Sequence, residues 1–388
     1  MAINPKRPII TYENVALLQS KSPAYNASSN KYNNISFLPL VDNINFSFDI
    51  QRTNVSAIGT KSFVNKSIKN APDVKLTINT SDIFGDMFSG MFSGSGVSES
   101  IDLDKNFYAL IGDQRGVDAY SSNLSEVDVV SFGNCFIESV SMNQSVNGLM
   151  TSEYSFEASN VQAQKITKSG DVFIGDCPAI DLARSQVQGL TFELPDAPDI
   201  NKYYNSQNFN RIIPSYSTNV FISGNNSIGN FLIKSDSIQD FTLNLPINRK
   251  AVYGIGKKYP LTRKAMFPSE GSFNFSNKVS AFELSGFRAN LKDFLNLDES
   301  YTLIISGQSY GESGFNVRIN EANFKSQSLS SSTSQEMVSD LSFDFDINKF
   351  EVITTITETG YLLLQSASYL TSDHLIYNDG GYVILEEY

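Results

Sequence analysis

The chain has 388 residues, 41% of them hydrophobic, with 41 acidic against 29 basic side chains and a formal net charge of −12. That length and apolar content allow two packed domains and argue against general disorder, while the negative balance repels a phosphate backbone and argues against a conventional nucleic-acid reader. No apolar run approaches the roughly 20 residues of a membrane-crossing helix, and MAINPKRPIITYENV lacks the apolar core of a signal peptide, so a soluble protein of the cytoplasm in which it is made is expected.

In chain order, residues 1–37 read as an N-terminal arm, with SKSPAYNASSNKYNNISFLP as the lead-in to the first domain. In VDNINFSFDIQR, Ile44, Phe46, Phe48 and Ile50 alternate with polar residues, the period of a strand with one buried and one wet face. Arg52 to Gly59 (RTNVSAIG) follows, then Pro72 and the alternating VKLTIN. Ile83, Phe84, Met87 and Phe88 fall at helical spacing, and GDMFSGMFSGSGVS (Gly85 to Ser98) reads as a flexible loop carrying Met87, Phe88, Met91 and Phe92, either exposed as a contact site or half-buried by loop packing. NFYALIG and the pair CFIESVSMNQ and TSEYSFEAS complete a first domain over 38–180.

Residues 181–235, including the Pro- and Asn-rich ELPDAPDINKYYNSQNFNRIIPSYSTN, read as a linker or arm. The pattern then restarts. IQDFTLNLPINR places Phe241, Leu243, Leu245 and Ile247 in the phase of the first strand, and one offset of 197 residues also superposes Arg52 on Arg249, Val55 on Val252, Ile58 on Ile255 and Gly59 on Gly256. After Pro268 come GSFNFSN and a helix expected from Phe287, Leu291, Phe294 and Leu295 behind a capping box of Ser280 and Glu283. SYTLIISG, VRINEANFKSQ and VSDLSFDFDI close a second domain over 236–349. Residues 350–388 form a small β appendage, with NDGG as a turn between two strands. The fold class is therefore mainly β: two tandem domains, each with one helix, built by internal duplication, with Gly59 and Gly256 as turn glycines of the repeat.

Little in the sequence carries chemistry. His374 is the only histidine and sits in the appendage, so a Ser-His-Asp or Cys-His arrangement lacks a scaffold. There is no phosphate loop and no paired Cys or His metal spacing. Cys135 and Cys177 read as buried reduced thiols. DLDKN and DFDIN start like calcium loops but lack the glycine and distant Glu that follow, and Asp344 and Asp346 read as the wet face of a strand whose other face carries Phe343 and Phe345. No enzyme activity, metal or cofactor is expected. The basic cluster Arg249, Lys250, Lys257, Lys258, Arg263 and Lys264 stands out in an acidic chain and reads either as a solvated hairpin rim or as a docking surface for another copy.

The segment AVYGIGKKYPLTRKAMFP followed by GSFNFS resembles the part of bacteriophage tail tube proteins where a strand runs into a Gly-containing turn, a basic Pro-bearing loop and a Pro opening the next strand. VRINEANFKSQSLSSSTSQEMVSDLSFDFD and CFIESVSMNQSVNGLMTSEYSFEAS resemble the closing strands of that family. The resemblance spans Leu38 to Ile347, leaves the arms and appendage unmatched, and is weaker in the first repeat, where TKSFVNKSIKNAP lacks the Tyr-Pro and Arg of the second. It implies a β-barrel or sandwich with a flanking helix, whose subunits join sheets around a ring and stack into a tube. The functional expectation is a virion structural protein, the major tail tube subunit of a tailed phage. Two tube-like domains per chain imply a trimeric, pseudo-hexameric ring, with a hexamer as the alternative, meeting other tail and baseplate proteins and passing genomic DNA without sequence-specific binding. A baseplate hub or distal tail protein, and a carbohydrate-binding β-sandwich suggested by the many Tyr and Asn, are the competing readings.

Overall fold

The structure is a computed structural model, and it describes residues 15–21, 25–26, 31–32, 35–38, 40–50, 52–59, 61–63, 65–68, 73–83, 91–92, 94–95, 97, 101, 105–112, 126–158, 160–169, 172–174, 191–192, 212–224, 238–255, 262–278, 300–308, 314–331, 337–352, 376–377 and 383–384. The fold is mainly β. Numbering its principal strands, the first half contributes β1 (Val15–Lys21), β2 (Val41–Asp49), β3 (Arg52–Val55), β4 (Asn65–Ile68), β5 (Asp73–Thr80), β6 (Lys105–Ile111), β7 (Glu126–Ser145), β8 (Thr151–Ala158) and β9 (Asn160–Ser169). The second half contributes β10 (Thr218–Gly224), β11 (Ile238–Pro246), β12 (Arg249–Val252), β13 (Thr262–Ala265), β14 (Glu270–Lys278), β15 (Ser300–Gln308), β16 (Gly314–Ser330), β17 (Val338–Asp346) and β18 (Phe350–Val352).

Every pairing within the first nine strands recurs in the second nine, always antiparallel. β1–β6, β6–β7, β7–β9, β7–β8, β8–β5, β5–β2 and β3–β4 are matched by β10–β15, β15–β16, β16–β18, β16–β17, β17–β14, β14–β11 and β12–β13. The registers also agree. Ser47 faces Lys75 as Asn244 faces Ser272, an offset of 197 residues, and the hairpin pair Arg52–Ile68 has the same offset from Arg249–Ala265.

Irregularities recur with the registers. The ladder slips between Lys105 and Phe107 and again between Tyr301 and Leu303; between Ile137 and Ser139 and again between Phe324 and Ser326; between Val41 and Asn43 and again between Ile238 and Asp240. Asn134 and Glu321, both at φ of 50–56°, occupy one position in the long strands β7 and β16. Bulges bend and twist a strand, and here they let β7 and β16 each serve two layers. The N-terminal part of each pairs in one layer and the C-terminal part in the other.

Between the layers lies the core that the alternating sequence dictates. Val74, Leu76, Ile78, Phe107, Phe132 and Phe156 fill the first half, with Phe107 and Phe156 rings 4.7 Å apart. Phe273, Phe275, Phe343, Phe345, Tyr301 and Leu303 fill the second, where Tyr301 and Phe324 present their edges to Phe343. Aromatic contacts at these separations and tilts add roughly 0.5–1.5 kcal/mol each beyond area burial. Cys135 is a buried thiol outside any disulfide, as expected, whereas Cys177 lies outside the described residues.

The structure differs from the sequence reading in the N-terminal arm and in the linker. Both expected helices fall outside the described residues apart from the buried Ile83; the helical turns that lie wholly within the described residues are two 3-10 turns, Ser215–Ser217 and Ile347–Lys349. Part of the expected N-terminal arm is β1, paired with β6 along its whole length and burying Leu17 and Leu18. Part of the expected linker is β10, which buries Val220 and Ile222 against β15. Both strands are short apolar runs inside polar stretches. Their burial comes from a partner strand some ninety residues away, which local composition does not reveal. In the appendage Ile376–Tyr377 pairs with Val383–Ile384, the hairpin that NDGG predicts.

Candidate assembly surface

The two halves share a sheet. β11 pairs along the free edge of β7, Ser139 opposite Pro246 through Ser145 opposite Asp240, giving the strand order β2-β5-β8-β7-β11-β14-β17-β16. One face of this run is apolar and is covered except at the outer strands β2 and β16. The other carries Thr242, Asn274, Ser276, Ser328, Asp340 and Ser342 around a shallow polar groove. Side chains there bond across strands, Ser342 Oγ donating to Asn274 Oδ1 at 2.6 Å and Ser328 Oγ to Asp340 Oδ2 at 3.1 Å.

The basic cluster divides by strand phase. Lys250 and Lys264 face each other across β12–β13 and are exposed, a like-charge pair that gains nothing from its own hairpin. Arg249 and Arg263 turn the other way, into the joint between the halves. Arg249 donates from Nε to the Ile137 carbonyl, from one terminal nitrogen to the Ile101 carbonyl and from the other to the Arg263 carbonyl at 2.7 Å, with its guanidinium 5.5 Å above the Phe136 ring. Arg263 is 4% exposed and ion-paired with Glu157. Burial pulls its pKa below the usual arginine value, opposed by the nearby Asp73 and Glu138 carboxylates.

The remaining expected contact residues fall as follows. Met91 and Phe92 are buried, which corrects the expectation of an exposed Met-Phe loop: Phe92 sets its edge on Phe350 at 5.0 Å, and Gly94–Ser95 adds a short strand to the edge of β18. A first-half segment thus straps the second half, and apolar residues in a Gly-Ser-rich stretch found an intramolecular partner. Met87, Phe88, Lys257, Lys258, Gly256 and His374 lie outside the described residues. Gly59 has φ +91° at the tip of the β3–β4 hairpin, the backbone state that favours glycine. Just before it Ile58 is fully exposed, as is its counterpart Ile255.

Sequence reasoning missed the outer edge of the sheet. β2 pairs only with β5 among the described strands, and Ser326–Ser330 of β16 only with β17. Phe46, Phe48 and Ile50 on β2 and just beyond it are 45%, 59% and 36% exposed, and Leu329 on β16 is 49% exposed. Such a long apolar edge invites strand pairing with another chain. Among the described residues no three His, Cys, Asp or Glu side chains gather as a metal site, and no helix is long and apolar enough to cross a membrane.

No protein-family model matches the chain, and no curated protein does. Solved structures do match in part. A chain of the anti-feeding prophage baseplate is 12% identical, with 35% of this chain covering 92% of that one at a TM-score of 0.26. A chain of the anti-feeding prophage tube-terminating cap is 14% identical over 37% of this chain and 91% of its own, also at 0.26. One from the sheath-tube complex of an extracellular contractile injection system is 16% identical over 37% and 92%, at 0.25. Each of these matches involves about a third of this chain, so the relation of its two halves has to be argued from the molecule itself.

Proposed function

We propose that this protein is a structural subunit of a tail-type tube: a tandem duplication of one tube domain whose copies join edge to edge into rings that stack around a channel. The observation that carries the reading is the joint between β7 and β11. It already joins two like-built halves in one continuous sheet, and among the described residues a matching open edge remains at each end of that sheet. Heterologous contacts of this kind close into rings when the rotation permits. Three chains then supply six domains per ring.

The polar face of the shared sheet suits a lumen. Its serine, threonine, asparagine and aspartate side chains, with the two lysines Lys75 and Lys325 ion-paired to Glu138 and Asp344, offer passing DNA little cationic hold in a chain of net charge −12. In this reading the protein works as a virion component without catalysis, as the major tube subunit, and the fully exposed Ile58 and Ile255 hairpin tips meet the adjacent ring. Negative-stain electron microscopy of the purified protein at high concentration tests it. Rings or tubes with a central hole and three chains per ring are expected. Six chains per ring would reject the pseudo-hexamer, and particles that stay monomeric at every concentration would reject the tube subunit.

A further inference from the structure

We propose that the outer edge of β2 receives the C-terminal half of β16 from a second copy of this chain, in the register that β11 keeps with β7. This rests on the self-assembly reading and sharpens it to a residue-by-residue contact. The internal joint supplies the template, because both of its strands have counterparts with open edges. β11 corresponds to β2 through their common pairing with β14 and β5, and β7 to β16 through β8 and β17.

Transposed, Val140 opposite Leu245 becomes Gln327 opposite Phe48, Ser141 opposite Asn244 becomes Ser328 opposite Ser47, and Met142 opposite Leu243 becomes Leu329 opposite Phe46. In the internal joint Val140, Met142, Leu243 and Leu245 are fully buried, whereas Phe46, Phe48 and Leu329 are exposed. The exposed apolar residues are therefore those that the missing neighbour would cover. Two further bonds transpose with them. The Ile247 N–H donates to the Glu138 carbonyl at 2.7 Å, and its counterpart Ile50 faces Lys325 of the second copy. Arg249 holds the Ile137 carbonyl, and its counterpart, the exposed Arg52, reaches the carbonyl of Phe324. Each chain carries one β2 edge and one β16 edge at opposite ends of the sheet order, so the contact is head to tail and repeats.

The joint between chains is more polar than the one within. Gln327 stands for Val140, and Asn323 stands for Phe136, so the guanidinium of Arg52 has no ring beneath it. Chains should therefore exchange neighbours while their own halves stay joined.

Cysteine pairs in the full chain test the register. A disulfide needs Cα atoms roughly 4.4–6.8 Å apart, which the proposal gives to Ser47 and Ser328 of adjacent copies and denies to Asn45 and Ser326, which are out of register by four residues. Under mild oxidation S47C/S328C is expected to form a ladder of covalent dimers and higher multimers at least tenfold more abundant than either single variant gives, and N45C/S326C is not. Rings or tubes without that ladder, or a ladder from N45C/S326C, would overturn the register while leaving self-assembly standing. A cross-link confined to the monomer band would mean that the chain covers its own edge and would overturn the proposal. A ladder without tubes would uphold the joint and remove the tube reading; monomers with no ladder would remove both.

Discussion

β2 and β11 read almost alike, NINFSFDI against DFTLNLPI, with apolar residues in the same phase at the same offset. Their environments are opposite. Leu243, Leu245 and Ile247 are at most 2% exposed, while Phe46, Phe48 and Ile50 are at least a third exposed. Both strands have an inner neighbour, β14 or β5, but only β11 has β7 on its other side. Alternation in a sequence states which face needs covering. It does not state whether the cover comes from the same chain.

The sharpest way to break the comparison is to place one substitution at both strands. Leu245→Lys puts an ammonium into a fully buried site and is expected to cost roughly 4 kcal/mol or more, enough to unfold much of the protein. Phe48→Lys, at the equivalent exposed site, is expected to shift the urea midpoint little while abolishing assembly in sedimentation. Equal destabilisation by the two would mean that β2 is covered within its own chain.

Next in size is the ion pair that closes the internal joint. Arg263→Met leaves the mostly buried Glu157 without this partner and should cost about 3 kcal/mol, whereas Arg263→Met with Glu157→Leu should recover most of that loss. A double variant as unstable as the single one would show that the pair contributes more than each partner's satisfaction. Arg249→Ala is expected to follow at about 2–3 kcal/mol, since it leaves the Ile137 and Ile101 carbonyls unsatisfied and removes the cation above Phe136. Arg52→Ala, its counterpart, should leave the free chain's thermal unfolding unchanged and weaken assembly. A comparable loss of monomer stability from both would end the view that Arg52 acts between chains.

Much of this was legible in the sequence, and the limits have physical causes. The 197-residue offset emerged from alternating Phe, Leu and Ile, and the same offset sets the observed registers of β2 to β5 against β11 to β14. The phase of Phe343, Asp344, Phe345 and Asp346 was equally plain, and the phenylalanines are buried with the aspartates on the wetter face. What sequence could not supply was the identity of partners. The phase that sends Lys250 outward and Arg249 inward can be read, yet Arg249 meets Ile137 and Ile101 through contacts more than a hundred residues long. Likewise Met91 and Phe92 sit among glycines and serines, and nothing in that stretch points to Phe350 of the second half, on which Phe92 packs.

The smallest expected effect probes the irregularity the halves share. Asn134 and Glu321 hold left-handed backbone at one position of β7 and β16, where the long strand passes from one layer to the other. A left-handed residue with a Cβ costs roughly 1–2 kcal/mol, and asparagine tolerates that region better than glutamate. Glu321 offsets a little of the cost by pairing with Lys349 at 2.8 Å, but both side chains are largely exposed and water screens such a pair. Hydrogen bonding to Glu321 raises the Lys349 pKa, so on the alkaline side the pair is held until the ammonium proton is removed. Copying the first half into the second, Glu321→Asn, is therefore expected to stabilise by about 0.5 kcal/mol, and the reverse change Asn134→Glu to destabilise by more than that, both read from urea midpoints. Stabilisation by Asn134→Glu would mean that the two bends, alike in backbone, are held by different forces.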